Sequence, residues 1–315
     1  MTVVPRVSVV MGVYNHADLL EETIESVLGQ AMEEFEFIIV DDGSSDTHVP
    51  DILHRYHHAD NRIRVISRPN TGLTLALREG CALAAGRYIA RIDAGDVMLP
   101  GRLAQQTAVL DEFDDCVLVV SRVEFCGPNW EPLWTICGKP ELAKPATVVS
   151  AVLSRGLDAD VPHHGSVMFR RSAYELMGGY RQQFYYGQDW DLWYRLAEFG
   201  KFLAIPEVLY RARYSPQAIS MTQSHRQKAI AEYSLAAHQA RKAGRDESPV
   251  LEKAAAIRPG FQNGTVAGTV SDGDYFIGEA LRRAGNIACR DYFWASIRKR
   301  PYQVRAYLRL FQSVF

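Results

Sequence analysis

Short apolar runs alternate with helical patterns through the first half of the chain. "RVSVVMGV" is followed by Leu20, Ile24, Val27 and Leu28 on one helical face, then by "FEFIIV" and later by "RIRVIS" and "RYIARI". Runs of this kind separated by segments of helical period predict βαβ units building a mostly parallel sheet. Asn15 followed by Asp18 predicts a helix N-cap with an acidic first turn, so that the first strand feeds directly into a helix. In open α/β sheets ligands collect at the carboxyl ends of the strands. Four successive run-ends are polar here: Tyr14 with Asn15, Asp41 with Asp42, Arg68 with Asn70, and Asp93 with Asp96.

After Pro100 the pattern loosens. It predicts a strand at "CVLVVSRVEF", a Trp- and Pro-containing connection through Pro145, a strand at "HGSVMFR", and a helix at "DWDLWYRLAEFG" closed by Gly200. From Ser224 onward the chain reads helical, with a polar, Gly-containing interruption between residues 244 and 274. This divides the chain into a first unit of residues 1–220 and a loosely attached helical extension, residues 221–315. No repeat of fixed period is present.

Composition narrows the class. With 315 residues, 47% hydrophobic and 23% charged, the chain has ordinary globular composition. A net charge of -2 gives no global reason to expect nucleic acid as a partner. Five scattered cysteines without a CxxC pair fit reduced thiols, which favours the cytoplasm. No uncharged stretch approaches the roughly 18 residues of a membrane span, and the first residues carry no basic leader before an apolar run. One local departure stands out. Residues 282–309 hold eight basic side chains against a single acid, Asp291, interleaved with Tyr292, Phe293, Trp294, Tyr302, Tyr307 and Leu308. Such a segment is either a solvated helix face or a peripheral contact with an anionic membrane.

Asp93 and Asp96, at the end of "RYIARIDAGD", have two readings. Asp and Gly suit an ordinary turn. Paired carboxylates also suit a hard divalent cation that shares its remaining positions with phosphate and water. The nucleophile elbow G-x-S-x-G of hydrolases is absent, as is the glycine-rich phosphate loop expected near the first strand of a nucleotidyltransferase.

Taken in order, "VSVVMGVYN", "FEFIIVDDGSSD", "NTGLTLAL", "GRYIARIDAGDVMLPGRLAQQ", "HGSVMFRR" and "GGYRQQFYYGQDWDLWYRLAEFGK" resemble the family 2 glycosyltransferases over residues 5–220. The resemblance implies the nucleotide-diphospho-sugar transferase fold, also called the glycosyltransferase A fold: a Rossmann-like α/β mixed sheet flanked by helices, here with a C-terminal helical extension. It also implies inverting transfer of one sugar from a nucleotide diphosphate donor, with UDP-sugars favoured. The acceptor would be a saccharide or lipid-linked saccharide in surface polysaccharide synthesis. Processive members carry transmembrane helices and a Gln-x-x-Arg-Trp motif; the motif is absent here. The rival reading is a nucleotide-sugar-binding protein without turnover.

Residue by residue, the resemblance implies a donor site of Gly12, Tyr14, Asn15, Asp42, Asn70, Gly72 and Asp93, with Asp42 reading uracil and Asp41 ordering its turn. Tyr14 could equally be a core residue. Where the family often has Ala-Arg-Asn this chain has Ala76, Leu77 and Arg78, so contacts made by that arginine do not carry over. Asp93 and Asp96 would hold manganese or magnesium. Gly95 stands where the commoner motif has a carboxylate, which leaves open whether Asp96 substitutes for it, Asp93 coordinates alone, or binding is weak. Asp189 maps onto the catalytic base, with Gln188 where Glu is commoner. A helix N-terminus would lower its basicity, and desolvation by Trp190 and Tyr186 would raise it. His164, Trp190 and Asp191 are assigned to the acceptor side, Asp191 also being the rival base.

Overall fold

The structure is a computed structural model that describes residues 4–136, 162–214, 224–259 and 273–313. Most of the connection through Pro145 lies outside the described residues. The elements in order are β1 (Val7–Val13), α1 (Ala17–Leu28), β2 (Phe35–Asp41), α2 (His48–Ala59), β3 (Ile63–Ser67), α3 (Leu73–Ala82), β4 (Tyr88–Arg91), β5 (Val97–Met98) and α4 (Arg102–Glu112). They continue with β6 (Cys116–Cys126), β7 (Pro132–Ile136), β8 (Met168–Arg170), α5 (Arg171–Leu176), α6 (Gln188–Phe199) and β9 (Lys201–Arg213). Five helices follow: α7 (Ser224–Lys242), α8 (Ser248–Ala255), α9 (Gly273–Arg283), α10 (Cys289–Lys299) and α11 (Val304–Gln312). The helix α8 falls inside the stretch expected to interrupt the helical region.

The nine strands form one mixed sheet in the order β3-β2-β1-β4-β8-β6-β9-β5, with β7 paired to β6. β1 to β4 run parallel, as their continuous apolar runs predicted, and the direction reverses where β8 inserts antiparallel between β4 and β6. A strand flanked on both sides must be apolar throughout its exposed faces. Phe169 meets this requirement, opposite Ile89 on one side and Leu118 on the other, with no exposed surface.

Helices cover both faces. On one, Leu20, Ile24 and Val27 of α1, Val49 and Leu53 of α2, and Leu103 and Leu110 of α4 pack on Val9, Met11, Phe37 and Ile39. On the other, Ala76 and Leu77 of α3, Tyr174 of α5, and Leu192 and Trp193 of α6 pack on Val10, Ile38, Ile89 and Phe169. This is the α/β class expected.

The 13-residue strand β9 has no counterpart in the sequence reading. Its alternation is broken at Pro206 and Glu207, where the pairing to β6 jumps from Ile205 to Val208. A proline cannot donate to the ladder, so the strand bulges there.

The C-terminal helices are firmly packed rather than loosely attached. Ile230 of α7 and Ala254 of α8 share a cluster with Phe184 and Tyr186, and α9 and α10 enclose Leu133 of β7 with Ile277, Leu281 and Phe293. Among the described residues no helix is long and apolar enough to cross a membrane.

Phe169→Ala should lower the unfolding free energy by about 3–5 kcal/mol, the usual cost of emptying a buried aromatic site. Urea unfolding measures it directly.

Candidate active site

The polar residues gather where β1, β2, β3 and β4 end. Asp41 orders its own turn, its Oδ1 accepting hydrogen bonds from the Ser44 amide at 2.9 Å and the Ser44 hydroxyl at 2.6 Å. Asn15 is not the helix cap expected. Asn15 and His16 both adopt left-handed backbone conformations, with φ 62° and 66°. The Asn15 side chain is carried across to the next loop, where its Oδ1 accepts from the amides of Ser45 and Asp46 at 2.9 and 3.0 Å.

Asp42 is buried, and its carboxylate accepts from the amides of Thr71 at 3.1 Å and Gly72 at 2.7 Å, with Arg68 Nε 3.4 Å away. It thus clasps the β3–α3 loop; Oδ1 also accepts from the Thr71 hydroxyl at 3.5 Å, while Oδ2 keeps a further lone pair for a ligand. Tyr14 is 47% exposed at the rim, which excludes the core reading. Tyr185, which the sequence reading missed, lies close enough to Asp42 and Tyr14 for their charges to act on it. Its ring lies so near Gly72 that a β-carbon there would approach to 2.5 Å. Gly72, at φ +97°, therefore permits the packing of Tyr185 and is buried beneath it. Gly12, also expected in the donor site, lies near the end of β1. It is covered by α3, and a β-carbon would come within 2.8 Å of Leu73 Cδ1. Asn70 is exposed, Leu77 is core, and Arg78 is solvated.

Asp93 follows β4 and Asp96 precedes β5. The Tyr210 hydroxyl, from β9, accepts from the Asp93 amide at 3.1 Å and donates to Asp96 Oδ2 at 2.7 Å. Asp96 Oδ1 accepts from the Arg213 amide at 2.9 Å. Asp93 Oδ1 accepts from the wholly buried Arg91 at 2.7 Å. Burial favours the neutral carboxyl at Asp93, but Arg91 and its neighbours outweigh this and hold it below the usual range. At Asp96 burial, joined by the charge of Asp93, prevails and pushes the carboxyl up to about 8.

His163 completes this cluster. Asp93, Asp96 and His163 each offer a ligand atom, and these atoms lie within 4.8 Å of one another. Burial lowers the basicity of His163, and its Nδ1 is enclosed without a hydrogen-bond partner. A neutral imidazole beside two carboxylates is a donor set suited to manganese, with magnesium a weaker fit for the nitrogen. The residues therefore fit the divalent cation that the paired carboxylates suggested. Of the doublet "HH", His163 is the member beside the two carboxylates. Gly95 cannot readily be a carboxylate: it lies at φ +97°, and a β-carbon would meet Leu19 Cδ1 at 3.1 Å.

His164 is not one of the three residues of the cation cluster. Its Nε2 lies 2.7 Å from the Tyr180 hydroxyl and accepts from Arg91 Nε at 3.5 Å. Burial, then the Arg91 charge, presses its basicity down to about 3. It is a neutral support for Arg91 instead of an acceptor contact. Asp189 is half-buried in the first turn of α6, after Gly187, whose φ of 57° lets Ile230 of α7 pack against the loop. Of the two opposing influences, burial wins over the helical amides and raises Asp189 to about 6. The charge of Asp93 also acts on it, in the same direction as burial. Trp190 is half-buried beside it, against the core. Asp191, expected on the acceptor side, is instead fully buried and clamped by Arg195 at 2.6 and 3.0 Å. Two residues further along a helix the side chain has rotated by about half a turn, from cleft to core.

The sheet carries its carboxylates and aromatics at one rim. Residues 8–177 match the model of glycosyl transferase family 2. EpsE of Bacillus subtilis, named as a glycosyltransferase, is 31% identical over 218 residues, covering 68% of this chain and 75% of its own. TuaG of the same organism, named as a glycosyltransferase of teichuronic acid biosynthesis, is 38% identical over 138 residues, 44% of this chain and 54% of its own. The crystal structure of residues 1–349 of TarS from S. aureus in complex with UDP-GlcNAc has the same fold, with a TM-score of 0.59 at 16% identity over 98% of this chain and 89% of that one. The chain belongs to glycosyl transferase family 2 and is a glycosyltransferase.

Two outcomes follow from the geometry. Manganese should bind more tightly than magnesium, and His163→Ala should cost at least about tenfold in manganese affinity, the lower bound for losing even a supporting partner of a metal ligand. Electron paramagnetic resonance of free manganese reads this without turnover, and an unchanged affinity would remove His163 from the site. Asp191→Ala should destabilise the fold by about 3–5 kcal/mol by stranding the buried Arg195 charge. Asp189→Asn should leave stability unchanged or raised, because it removes a carboxylate that burial disfavours, and thermal unfolding compares the two.

Proposed function

We propose that the chain is an inverting, non-processive glycosyltransferase. It moves one sugar from a UDP-sugar to a saccharide or lipid-linked saccharide in surface polysaccharide synthesis. Residues 1–220 are its catalytic unit. The observation that carries this reading is the Asp189 carboxylate, held half-buried in the first turn of α6 and within reach of the Asp93 charge. Binding a nucleotide-sugar needs no base, whereas transfer does.

In this reading Tyr14 offers an aromatic face to the base, with Tyr185 beside it, and Asp42 uses its remaining acceptor capacity for a base N–H. A manganese or magnesium ion held by Asp93, Asp96 and His163 would supply positive charge to the departing diphosphate. Arg91 fixes Asp93 from behind, and Tyr210 fixes the spacing of Asp93 and Asp96. On the other side of the cleft Asp189 orients the acceptor hydroxyl. Its oxygen attacks the anomeric carbon as the bond to the nucleoside diphosphate breaks, and the hydroxyl proton passes to the Asp189 carboxylate. A single displacement of this kind inverts the configuration. Partial desolvation makes Asp189 a stronger base than a solvated carboxylate, yet leaves it ionised at neutral pH. UDP is favoured as the nucleotide because TarS, with this fold, was crystallised with UDP-GlcNAc. The polysaccharide setting rests on the name of TuaG.

Asp189→Asn should reduce transfer by about 100- to 10,000-fold, the usual contribution of a general base. Nucleotide affinity by calorimetry should stay the same. Because only the ionised carboxyl accepts the proton, wild-type transfer should rise with pH through about 6 and level off above it. Near wild-type transfer by Asp189→Asn would sink the base assignment. Tight nucleotide binding with no turnover of any donor by the wild type would revive the binding-protein reading.

A further inference from the structure

The last described helix carries its apolar residues on the side away from the protein. α11 contributes Ala306 and the half-buried Leu310 to the packing around Ile277, Leu281 and Phe293. On its opposite side Val304, Tyr307 and Leu308 follow the i, i+3, i+4 spacing of a single stripe, exposed by 76%, 45% and 52%. Tyr302, in the turn before α11, is 96% exposed, and Trp294 on α10 is exposed as well. A surface helix normally turns such a stripe inward. Here the inward positions are already filled, so the outward stripe belongs to something outside the fold.

The charges around the stripe identify the occupant. Arg298, Lys299 and Arg300 at the end of α10 and Arg305 on α11 are all exposed. Arg298 and Arg305 have no ion-pair partner among the described residues, whereas Lys299 is paired with Asp274 at 2.5 Å and Arg309 is engaged with Glu279. Asp291 is the single acid between residues 282 and 309. An apolar and aromatic strip bordered by exposed cations, Arg298 and Arg305 among them without an ion pair in the described residues, matches a surface that is anionic outside and apolar just beneath. Tyrosine and tryptophan suit that boundary because each has an apolar ring with a polar tip.

We propose that α11, with the end of α10 and the turn between them, docks the protein reversibly on a membrane surface bearing anionic lipid headgroups. The helix is little more than two turns long and lies along the surface, so it seats the protein at the interface without spanning it. The docking face is tied to the catalytic rim through short contacts. Tyr292 of α10 donates to Glu131 Oε1 at 2.7 Å in the β6–β7 turn. Trp130 beside it stacks on the Arg213 guanidinium at 4.0 Å, and the Arg213 amide holds Asp96. The docking itself does not depend on which sugar is transferred.

The test is co-sedimentation of the full chain with phosphatidylcholine vesicles, with and without phosphatidylglycerol. Binding should be about tenfold or more stronger to the anionic vesicles, and it should weaken as salt rises, since surface attraction is screened within about 10 Å at 0.1 M. The double variant Tyr307→Ser with Leu308→Ser should lose most of the binding. The pair Arg298→Gln with Arg305→Gln should lose about fivefold for each charge removed. All four side chains are exposed, so thermal unfolding and nucleotide binding should be unchanged in both variants. Equal binding to neutral vesicles, or full binding by the Tyr307 and Leu308 variant, would overturn the proposal. So would a wild-type dimer in sedimentation velocity that the same variant converts to monomer while vesicles capture neither, because the stripe would then belong to a second copy of the chain.

Discussion

A guanidinium sealed from water lies just behind the catalytic rim. Removing an ion from water costs several kcal/mol even after the protein relaxes, so Arg91 is tolerable only with its hydrogen bonds met. It donates to the Val10 carbonyl of β1, to the Ile92 carbonyl at 3.1 Å, to Asp93 at 2.7 Å and to His164 at 3.5 Å. Those partners come from β1, from the end of β4 and from the segment leading into β8, the place where the sheet changes direction. Arg102 reinforces the join by donating to the carbonyls of Arg91 at 2.9 Å and Val167 at 3.1 Å. The electrostatics of the site follow from this buried charge. Asp93 stays ionised because Arg91 is behind it, and His164 stays neutral because burial and the same charge oppose its protonation.

Gly95 and His163 are best understood together. The turn between β4 and β5 passes through a left-handed conformation that a side chain would strain, and Thr23 fastens it by accepting from the Gly95 amide at 3.0 Å and donating to the Asp96 carbonyl at 2.8 Å. A third carboxylate has no place in so tight a loop. The imidazole of His163 brings a donor from a different segment, more than sixty residues away in the chain. The cluster thereby gains a nitrogen with no charge of its own, which limits the repulsion that already raises Asp96.

Much of the parallel half was legible because each strand buried on both faces must read as a continuous apolar run, and each such run ends in a polar residue at the rim. That Tyr14 and Asp93 lie at strand ends followed from that regularity, whereas Asp189 rested on the family resemblance. What escaped was whatever depends on segments meeting at long range. Asn15 was mistaken for a cap because capping and loop-bracing asparagines look alike in sequence. Asp191 was placed in the cleft because two acids in one helical turn differ only in the direction they face, which Arg195 decides here. Gly12 and Gly72 gave no sign that Leu73 and Tyr185 pack against them. Tyr210 was invisible because its strand has no clean alternation.

That broken alternation has a consequence of parity. Moving from Ser121 to Val123 advances β6 by two residues, while the partners advance from Ile205 to Tyr210, which is five. Three extra residues are an odd number, so the faces of β9 exchange across the bulge. Before it, Leu203 and Ile205 point to the layer containing α1 and α4; after it, Tyr210 and Ala212 do. With one extra residue more, Arg211 would lie opposite Val123 where Tyr210 now stands, and a second cation would face Asp93 and Asp96 in place of a hydroxyl that can accept from one and donate to the other. A slip of one residue in the pairing of β9 beyond the bulge would thus exchange the chemistry at the rim while every residue of the carboxylate motif stayed the same.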